Sequence, residues 1–193
     1  ITFDDGPIPE ITEWVLDELE KYKAKATFFC IGDNVRKYPD VFRKVLEAGH
    51  SVGNHTFNHL KGWSTKNEEY YENVERCNKL VCSNLFRPPF GRIKKSQYKE
   101  LGKNYKIVMW SILTWDFLRN LDKLHALKTT ISKTKRGDII TFHDSLKAEH
   151  NLKYLLPEYL KYFSDKGFKF RSLDIEKYHE KVGYKSNCSK GNI

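Results

Sequence analysis

Short apolar runs alternate along the chain with longer segments in which apolar residues recur every three or four positions. The runs are rich in β-branched and aromatic residues, which is typical of strands, and they occupy residues 1–3, 26–31, 51–54, 85–88, 106–112, 138–143 and 168–173. The longer segments have the period of amphipathic helices and occupy residues 11–22, 38–48, 67–80, 95–101, 120–132 and 151–163. This alternation predicts an α/β fold built on a parallel sheet. The pattern alone is compatible with both a closed barrel and an open sheet.

Size and composition predict a single domain that covers residues 1–193. The length suits one well-formed core, and 39% of the residues are hydrophobic, as in globular proteins. No linker rich in Gly, Ser or Pro interrupts the repeats. No apolar run approaches the ~18 residues of a membrane-spanning helix, so no membrane span is expected. The chain starts without Met and inside a predicted strand, and we therefore expect a processed or trimmed product.

The formal net charge of +9 raises the question of an anionic partner such as nucleic acid. The lysines are scattered over the predicted helix faces, and no run of like charge exceeds three residues. This distribution favours a solvated, Lys-rich surface, and no nucleic-acid partner is expected.

The cysteines Cys30, Cys77, Cys82 and Cys188 lack the paired C-x-x-C spacing of metal sites. Cys30 ends an apolar run and is predicted to be a buried free thiol. The sequence leaves open whether the other three include a disulfide.

Two adjacent carboxylates, Asp4 and Asp5, end the first predicted strand and are followed by Gly6 and Pro7. Neighbouring side chains of a strand point to opposite faces, and the Gly-Pro step lets the backbone bend after them. Two like charges this close raise the pKa of one group unless a cation compensates them. We therefore interpret the pair as half of a metal site at the carboxyl end of the strand, where α/β folds collect their chemistry.

His55 and His59 follow the third predicted strand and supply the other half. On one helical turn, two imidazoles four residues apart lie on the same face and can bind one ion. The spacing alone is equally compatible with structural histidines. Together with Asp5 they form a set of two histidines and one carboxylate, which leaves positions open for water and substrate and is typical of catalytic sites. The expected cofactor is one divalent metal ion, with Zn²⁺ favoured and Co, Ni or Fe as alternatives.

Catalysis by a metal-bound water needs a base and an acid. Asp4, free of the metal if the two carboxylates diverge, is the candidate base, and His143, at the end of the sixth predicted strand, is the candidate acid. Arg87 is expected to orient Asp4 through a bidentate contact, with a surface salt bridge as the alternative. In the following loop Pro89 restricts the backbone path, and the Phe90 N–H is available to stabilise an oxyanion.

Five segments, in this order along the chain, resemble the motifs of the polysaccharide deacetylase family, also called carbohydrate esterase family four or the NodB homology domain. They are residues 2–7 (TFDDGP), 55–59 (HTFNH), 87–91 (RPPFG), 110–117 (WSILTWDF) and 140–144 (ITFHD). The resemblance extends over nearly the whole chain and implies a distorted (β/α) barrel with about seven parallel strands. It also implies an enzyme that uses a divalent metal to remove N- or O-acetyl groups from sugar polymers.

The resemblance implies a role for each site residue. It gives Asp4 as the base, His143 as the acid, Arg87 as the residue that positions Asp4, and Asp116 as the partner that raises the basicity of His143. The metal ligands that it implies are Asp5, His55 and His59.

The chain departs from the family pattern at four positions. Phe90 stands where Tyr is usual, Leu113 where the fourth motif has its first Asp, Phe117 where Trp is usual, and Thr141 where a Leu usually lines the acetyl-methyl pocket. Phe117 keeps an aromatic wall with less area, whereas Thr141 adds a hydroxyl that needs a partner if it is buried. We interpret these departures as changes in substrate fit that leave the chemistry in place.

The main hypothesis is a metal-dependent deacetylase whose partner is an N-acetylated glycan such as peptidoglycan or a chitin-like polymer. The alternatives are an esterase on O-acetylated, xylan-type glycans and a carbohydrate-binding pseudoenzyme with an altered pocket. A binding protein needs neither base nor acid, so the presence of Asp4 and His143 favours an enzyme. The substrate class favours the cell envelope or the extracellular space, while the compartment and the oligomeric state stay open.

Overall fold

The computed structural model describes residues 1–173, which form seven strands and seven helices. The strands are β1 (Thr2–Asp4), β2 (Thr27–Cys30), β3 (Ser51–Asn54), β4 (Leu85–Phe86), β5 (Lys106–Ile107), β6 (Ile112–Leu113) and β7 (Ile140–His143). The helices are α1 (Ile11–Lys21), α2 (Gly32–Lys37), α3 (Pro39–Glu47), α4 (Asn67–Val81), α5 (Lys95–Leu101), α6 (Lys123–Lys133) and α7 (Glu149–Asp165). None of these helices is long and apolar enough to cross a membrane.

The strands form one parallel sheet in the order β5-β4-β3-β2-β1-β7-β6. β5 and β6 follow each other in the chain but lie at opposite edges of this sheet. Only residues 108–111 join them, and five residue steps span at most about 18 Å. The sheet must therefore curl until its edges approach each other. The prediction of a distorted (β/α) barrel with about seven parallel strands is confirmed.

The outer face of the central strands carries the core. Phe3, Phe28 and Phe142 lie side by side on β1, β2 and β7, with ring centroids 5.0 and 5.9 Å apart. Helix α7 covers them with Tyr159, whose ring lies 5.7 Å from that of Phe142. Helix α1 contributes Val15 and other buried apolar residues of its inward face. The outer face is thus apolar, whereas the inner face of β1 and β7 carries polar side chains.

The register of β1 and β7 places the polar residues of the inner face in layers. Asp4 is aligned with His143, and two residues earlier Thr2 is aligned with Thr141. Partners in register point to the same face of a sheet. Asp4 and His143 therefore lie at the carboxyl end of the barrel, one layer above Thr2 and Thr141.

The six helices that the sequence predicts are confirmed, with ends that differ from the prediction by at most three residues. A seventh helix, α2, was not predicted. Its sequence GDNVRK offers no apolar period, because only Gly32 and Val35 are buried, and its exposed side is held by ion pairs of Asp33 with Arg36 and Lys37.

Two strand predictions were wrong. The single strand predicted over residues 106–112 is divided into β5 and β6, since residues 108–111 cross from one sheet edge to the other. Residues 168–173 form no strand; Phe168 and Phe170 pack on the aromatic rings of α7 instead. The predicted number of about seven strands is thus correct because one error offsets the other.

Cys30 and Cys77 are free and buried. The prediction for Cys30 is confirmed, and Cys77 is removed from the disulfide candidates. Cys82 is disulfide-bonded, and Cys188 lies outside the described residues.

Candidate active site

The two carboxylates at the end of β1 separate because the backbone changes conformation between them. Asp4 belongs to the extended strand, whereas Asp5 has a φ of 84°, in the left-handed region that non-glycine residues rarely occupy. Gly6 follows, and a Cβ there would lie 2.0 Å from the Asp144 carboxylate, so this position needs glycine. Asp4 consequently faces Arg87, and Asp5 faces His55 and His59.

Asp5, His55 and His59 form a group whose ligand atoms all lie within 4.8 Å of one another. Asp5 Oδ1 lies 3.7 Å from His55 Nε2 and 3.3 Å from His59 Nε2. It is buried and accepts no hydrogen bond from the described residues. A buried carboxylate oxygen without a donor is unfavourable unless a cation or water satisfies it. The donor set therefore fits a divalent metal ion.

The electrostatics of the two imidazoles suit ligation. His55 Nδ1 donates to Arg87 O at 2.8 Å, which leaves the lone pair on Nε2, the nitrogen nearest Asp5. Burial, with the neighbouring His55 ring, lowers the pKa of His59 to about 4. His59 is therefore neutral at pH 7, the state that binds a metal.

The segment that carries these histidines is a loop, so the prediction that they share a helical turn was wrong. Thr56 and His59 both have positive φ values, 63° and 58°. The Asn54 side chain accepts a hydrogen bond from Thr56 N at 2.9 Å, and Thr56 Oγ1 accepts one from Leu60 N at 3.0 Å. These local bonds curve the backbone so that both imidazoles turn toward Asp5.

Asp4 is held by a fully buried arginine. Arg87 Nη1 donates to Asp4 Oδ1 at 2.6 Å, and Arg87 Nε donates to Val108 O at 3.1 Å. The guanidinium stacks on Phe29, 4.0 Å from the ring centroid. Burial excludes the alternative of a surface salt bridge. The expected bidentate contact is not formed, because Nε and Nη2 turn to the carbonyls of Val108 and Met109.

Thr141 lies below this ion pair and not at the rim of the site. Its side chain is fully buried, and its hydroxyl lies 3.1 Å from Arg87 Nη1 and 3.0 Å from Thr2 Oγ1. The expectation that a buried Thr141 hydroxyl needs a partner is met. Leu113 lies beside it in β6, aligned in register with Thr141.

His143 is oriented by a buried carboxylate. Asp116 accepts two hydrogen bonds from it, one from the ring Nδ1 and one from the backbone N–H, both at 2.7 Å. Burial alone would lower the pKa of His143, but the charge and hydrogen bond of Asp116 outweigh it and raise the pKa to about 9. The imidazole is therefore protonated at neutral pH, with Nε2 free of Asp116.

Aromatic rings line the site beside His59 and His143. Phe90 lies 4.6 Å from the His59 ring, and Phe117 lies 4.9 Å from the His143 ring, measured between centroids. Phe90 and Trp115 are each about half exposed. In the turn that holds the buried Pro89, hydrogen bonds are donated by Gly91 and Arg92, and the Phe90 N–H takes no part in them.

Asp144, which follows His143, is a buried residue for which the sequence predicts no role. Asp144 is fully buried and accepts hydrogen bonds from Gly6 N at 3.0 Å and from the Thr12 hydroxyl at 2.6 Å. Burial raises its pKa to about 8. The side chain ties the turn after Asp5 to helix α1. Its place in the segment 140–144 was the only signal for it in the sequence.

Comparisons with known proteins agree with this geometry. Residues 1–108 match the family model described as "Polysaccharide deacetylase". The chain is 36% identical over 182 residues to a peptidoglycan-N-acetylglucosamine deacetylase of Bacillus cereus, with 88% of this chain and 83% of that protein aligned. It is 32% identical over 189 residues to the peptidoglycan-N-acetylglucosamine deacetylase PgdA of Listeria monocytogenes, with 94% of this chain aligned.

The chain spans 39% of the length of the Listeria protein. Its fold is similar to the crystal structure of the Bc1960 peptidoglycan N-acetylglucosamine deacetylase, with a TM-score of 0.83 and 29% identity over 89% of this chain and 84% of that one. The match to the family model over more than half of the chain, and the 36% identity to a relative of similar length, lead to one conclusion: the chain belongs to the polysaccharide deacetylase family.

Proposed function

We propose that this protein is a hydrolase that removes acetyl groups from N-acetylated glycans, with the N-acetylglucosamine of peptidoglycan as the substrate to test first. One observation carries the proposal: the adjacent carboxylates divide, so that Asp4 is paired with Arg87 while Asp5 joins His55 and His59. Two of its relatives are named as deacetylases of that sugar.

The residues that would hold a divalent ion are Asp5, His55 and His59. The unpaired carboxylate oxygen of Asp5 and the two imidazoles suit Zn²⁺, with Co, Ni or Fe as alternatives. A divalent ion bound there supplies Lewis-acid chemistry, which acidifies a water molecule and polarises the acetyl carbonyl.

The remaining groups supply proton transfer and charge stabilisation. Asp4 Oδ1 is bonded to Arg87, so Oδ2 is the oxygen that accepts the proton of the attacking water. The Phe90 N–H donates to the oxygen of the tetrahedral intermediate. His143, protonated because of Asp116, gives the Nε2 proton to the leaving amine nitrogen. Water and amide thus become acetate and a free amino sugar.

The variant Asp4→Asn tests the assignment of the base. Asn keeps the shape and an oxygen for Arg87 but cannot accept the proton, so acetate release should fall by roughly 10²- to 10⁴-fold. The metal content, measured by elemental analysis, should stay at the wild-type value because Asp5 is unchanged. Circular dichroism checks that the variant is folded. Activity near the wild-type rate would show that Asp4 is not the base.

A substrate panel with acetate detection tests the reaction itself. It should include peptidoglycan fragments, chitooligosaccharides and O-acetylated xylan. Release from the first two supports the N-deacetylase, and release from xylan alone would favour the esterase. If the metal-loaded protein released acetate from none of them but bound the glycans, the enzyme proposal would be refuted in favour of a carbohydrate-binding pseudoenzyme.

A further inference from the structure

Arg87 Nη1 lies within hydrogen-bond distance of three oxygens on the inner face of the barrel. They are Asp4 Oδ1 at 2.6 Å, Thr2 Oγ1 at 2.8 Å and Thr141 Oγ1 at 3.1 Å. Arg87 and Thr141 are fully buried and Thr2 is 1% exposed. Burial shields these groups from bulk solvent, so the contacts determine where the guanidinium lies.

The geometry fixes the direction of each hydrogen bond. Arg87 can only donate, so both hydroxyls present oxygen lone pairs to it. Thr2 also lies 3.2 Å from Ile140 O, a carbonyl that can only accept, and the Thr2 hydroxyl hydrogen is therefore directed there. The Thr141 hydroxyl then donates to Thr2 Oγ1 at 3.0 Å. The hydrogen bonds therefore run in order from Arg87 Nη1 through the two hydroxyls to Ile140 O.

We infer that Thr141 and Thr2 are positioning residues for the general base. Their hydroxyls support Arg87 Nη1 from the layer below Asp4 and hold it against Oδ1, which leaves Oδ2 directed toward the attacking water. This inference rests on the proposed function, in which Asp4 is the base. Thr141 stands where the family usually has Leu. In this inference it affects the rate of the chemical step and not the fit of the substrate.

The two roles for Thr141 predict different kinetics. A residue that lines the acetyl pocket changes KM, and changes it differently for different glycans. A residue that holds the base changes kcat by the same factor for every substrate and leaves KM unchanged. Thr141 is fully buried, and among residues 1–173 its hydroxyl has hydrogen-bond partners only in Arg87 and Thr2, which points to the second behaviour.

Matched substitutions separate the hydroxyl from the shape of the side chain. Thr141→Val keeps the shape and removes the hydroxyl, whereas Thr141→Ser keeps the hydroxyl and removes a methyl group. We expect kcat to fall about ten- to a hundredfold in the Val variant, with KM within about twofold of the wild type. The Ser variant should stay within about threefold in both constants. Thr2→Val and Thr2→Ser should show the same contrast.

Thr27→Val is the control for loss of stability alone. Thr27 is fully buried, aligned in register with Thr2, and its hydroxyl accepts a hydrogen bond from Leu173 N without contacting Arg87. This variant should lower the melting temperature as Thr141→Val does, but its kcat should equal that of the wild type. A crystal structure of Thr141→Val should show Arg87 Nη1 displaced from Asp4 Oδ1.

The outcomes are distinguishable. If Thr141→Val and Thr2→Val both kept the wild-type kcat, or changed KM alone, the positioning role would be overturned and the proposed function would stay intact. A wild type that releases no acetate from any glycan would overturn the proposed function, and this inference with it.

Discussion

Asp4 and Asp5 are adjacent in the chain, yet each carboxylate faces a different partner. The change from the extended conformation to a φ of 84° directs Asp4 to a buried guanidinium and Asp5 to two imidazoles. Like charges on neighbouring residues repel least when each has its own partner. The strain of the left-handed Asp5 therefore has a function in the proposed site: it separates the base from the metal ligand.

The pair of His143 and Asp116 predicts the alkaline limit of activity. Wild-type kcat/KM should fall as the pH rises through about 9, because the imidazole then loses the proton that it gives to the leaving group. In Asp116→Asn burial still lowers the pKa of His143, while of the charges that raise it only those of Asp4 and Asp5 are left. The alkaline limb should then move to lower pH. A pH profile of kcat/KM for both proteins measures the shift; an unmoved limb would contradict the role of His143 as the acid.

The pair of His143 and Asp116 also stabilises the folded protein, and this stabilisation should decrease as the pH rises. The pKa of His143 is raised from 6.5 to about 9 on folding, so its contribution is fully present below pH 6.5 and is lost as the pH rises through about 9. Urea titrations at several pH values should show this decrease in the free energy of unfolding for the wild type and a smaller decrease for Asp116→Asn. Asp40→Asn, on the exposed face of α3, is the control that should keep the wild-type pH dependence.

At the residue scale the sequence predicted which groups meet but not every bond between them. The order of the five segments was enough to bring Asp5, His55 and His59 together and to pair His143 with Asp116. The number of bonds from Arg87 to Asp4 depends on the carbonyls of residues 108 and 109, which a motif does not record. The burial of Thr141 likewise depends on strand register and not on local sequence.

The loop after β3 has no regular secondary structure, yet it directs the side chains of His55 and His59 to the same place. Thr56 uses its hydroxyl to accept the Leu60 N–H, one residue beyond His59, and its own N–H is bonded to Asn54. The spacing of four residues does bring both imidazoles to Asp5, but through this loop and not through a helical turn. Side-chain-to-backbone bonds compete with helix formation and can replace it over a short segment.

Substitutions at Thr56 test this loop. Thr56→Val keeps the β-branched shape and removes the acceptor for Leu60 N–H, so the loop should loosen and the metal affinity should fall roughly ten- to a hundredfold. Thr56→Ser keeps the acceptor and should bind metal as the wild type does. Competition with a coloured chelator measures both affinities. Equal affinities in the two variants would show that this hydrogen bond does not position the histidines.

Helices and strands were predicted correctly where a hydrophobic period extends over many residues. They were missed where contacts with distant residues determine the local structure. Helix α1 buries Ile11, Val15 and Leu19 at intervals of four residues, and its pattern is unambiguous. Residues 106–112 are all compatible with one strand, but closure of the barrel requires the chain to leave one sheet edge and join the other. No local pattern carries that information.

Two of the lysines that contribute to the positive net charge of the whole molecule lie beside the site. Lys61 lies over the Phe90 ring and Lys147 over the Phe117 ring, each 5.3 Å from the centroid. These two rings are the ones that contact His59 and His143. Both lysines are exposed, and neither forms an ion pair with any residue between 1 and 173. Two cations without an ion-pair partner among the described residues therefore lie over aromatic rings of the proposed site.

This arrangement predicts a preference for glycans that carry carboxylates, as peptidoglycan does, over neutral chitooligosaccharides. An exposed ion pair contributes about 0.2–1 kcal/mol, so the double variant Lys61→Ala, Lys147→Ala should raise KM for an acidic fragment about two- to thirtyfold. KM for a neutral oligosaccharide of equal length should not change. Raising the salt concentration from 0.05 to about 0.5 M should screen the attraction and produce the same selective effect in the wild type.

A second double variant, Lys99→Ala, Lys128→Ala, removes the same net charge from the outer helices α5 and α6 and should leave both KM values near those of the wild type. This comparison separates local contacts from the general field of a protein with a charge of +9. If both double variants weakened acidic substrates equally, the attraction would come from total charge, and the two lysines beside the site would have no special part in substrate choice. If only the variant at the site did so, Lys61 and Lys147 would be the groups that select acidic glycans.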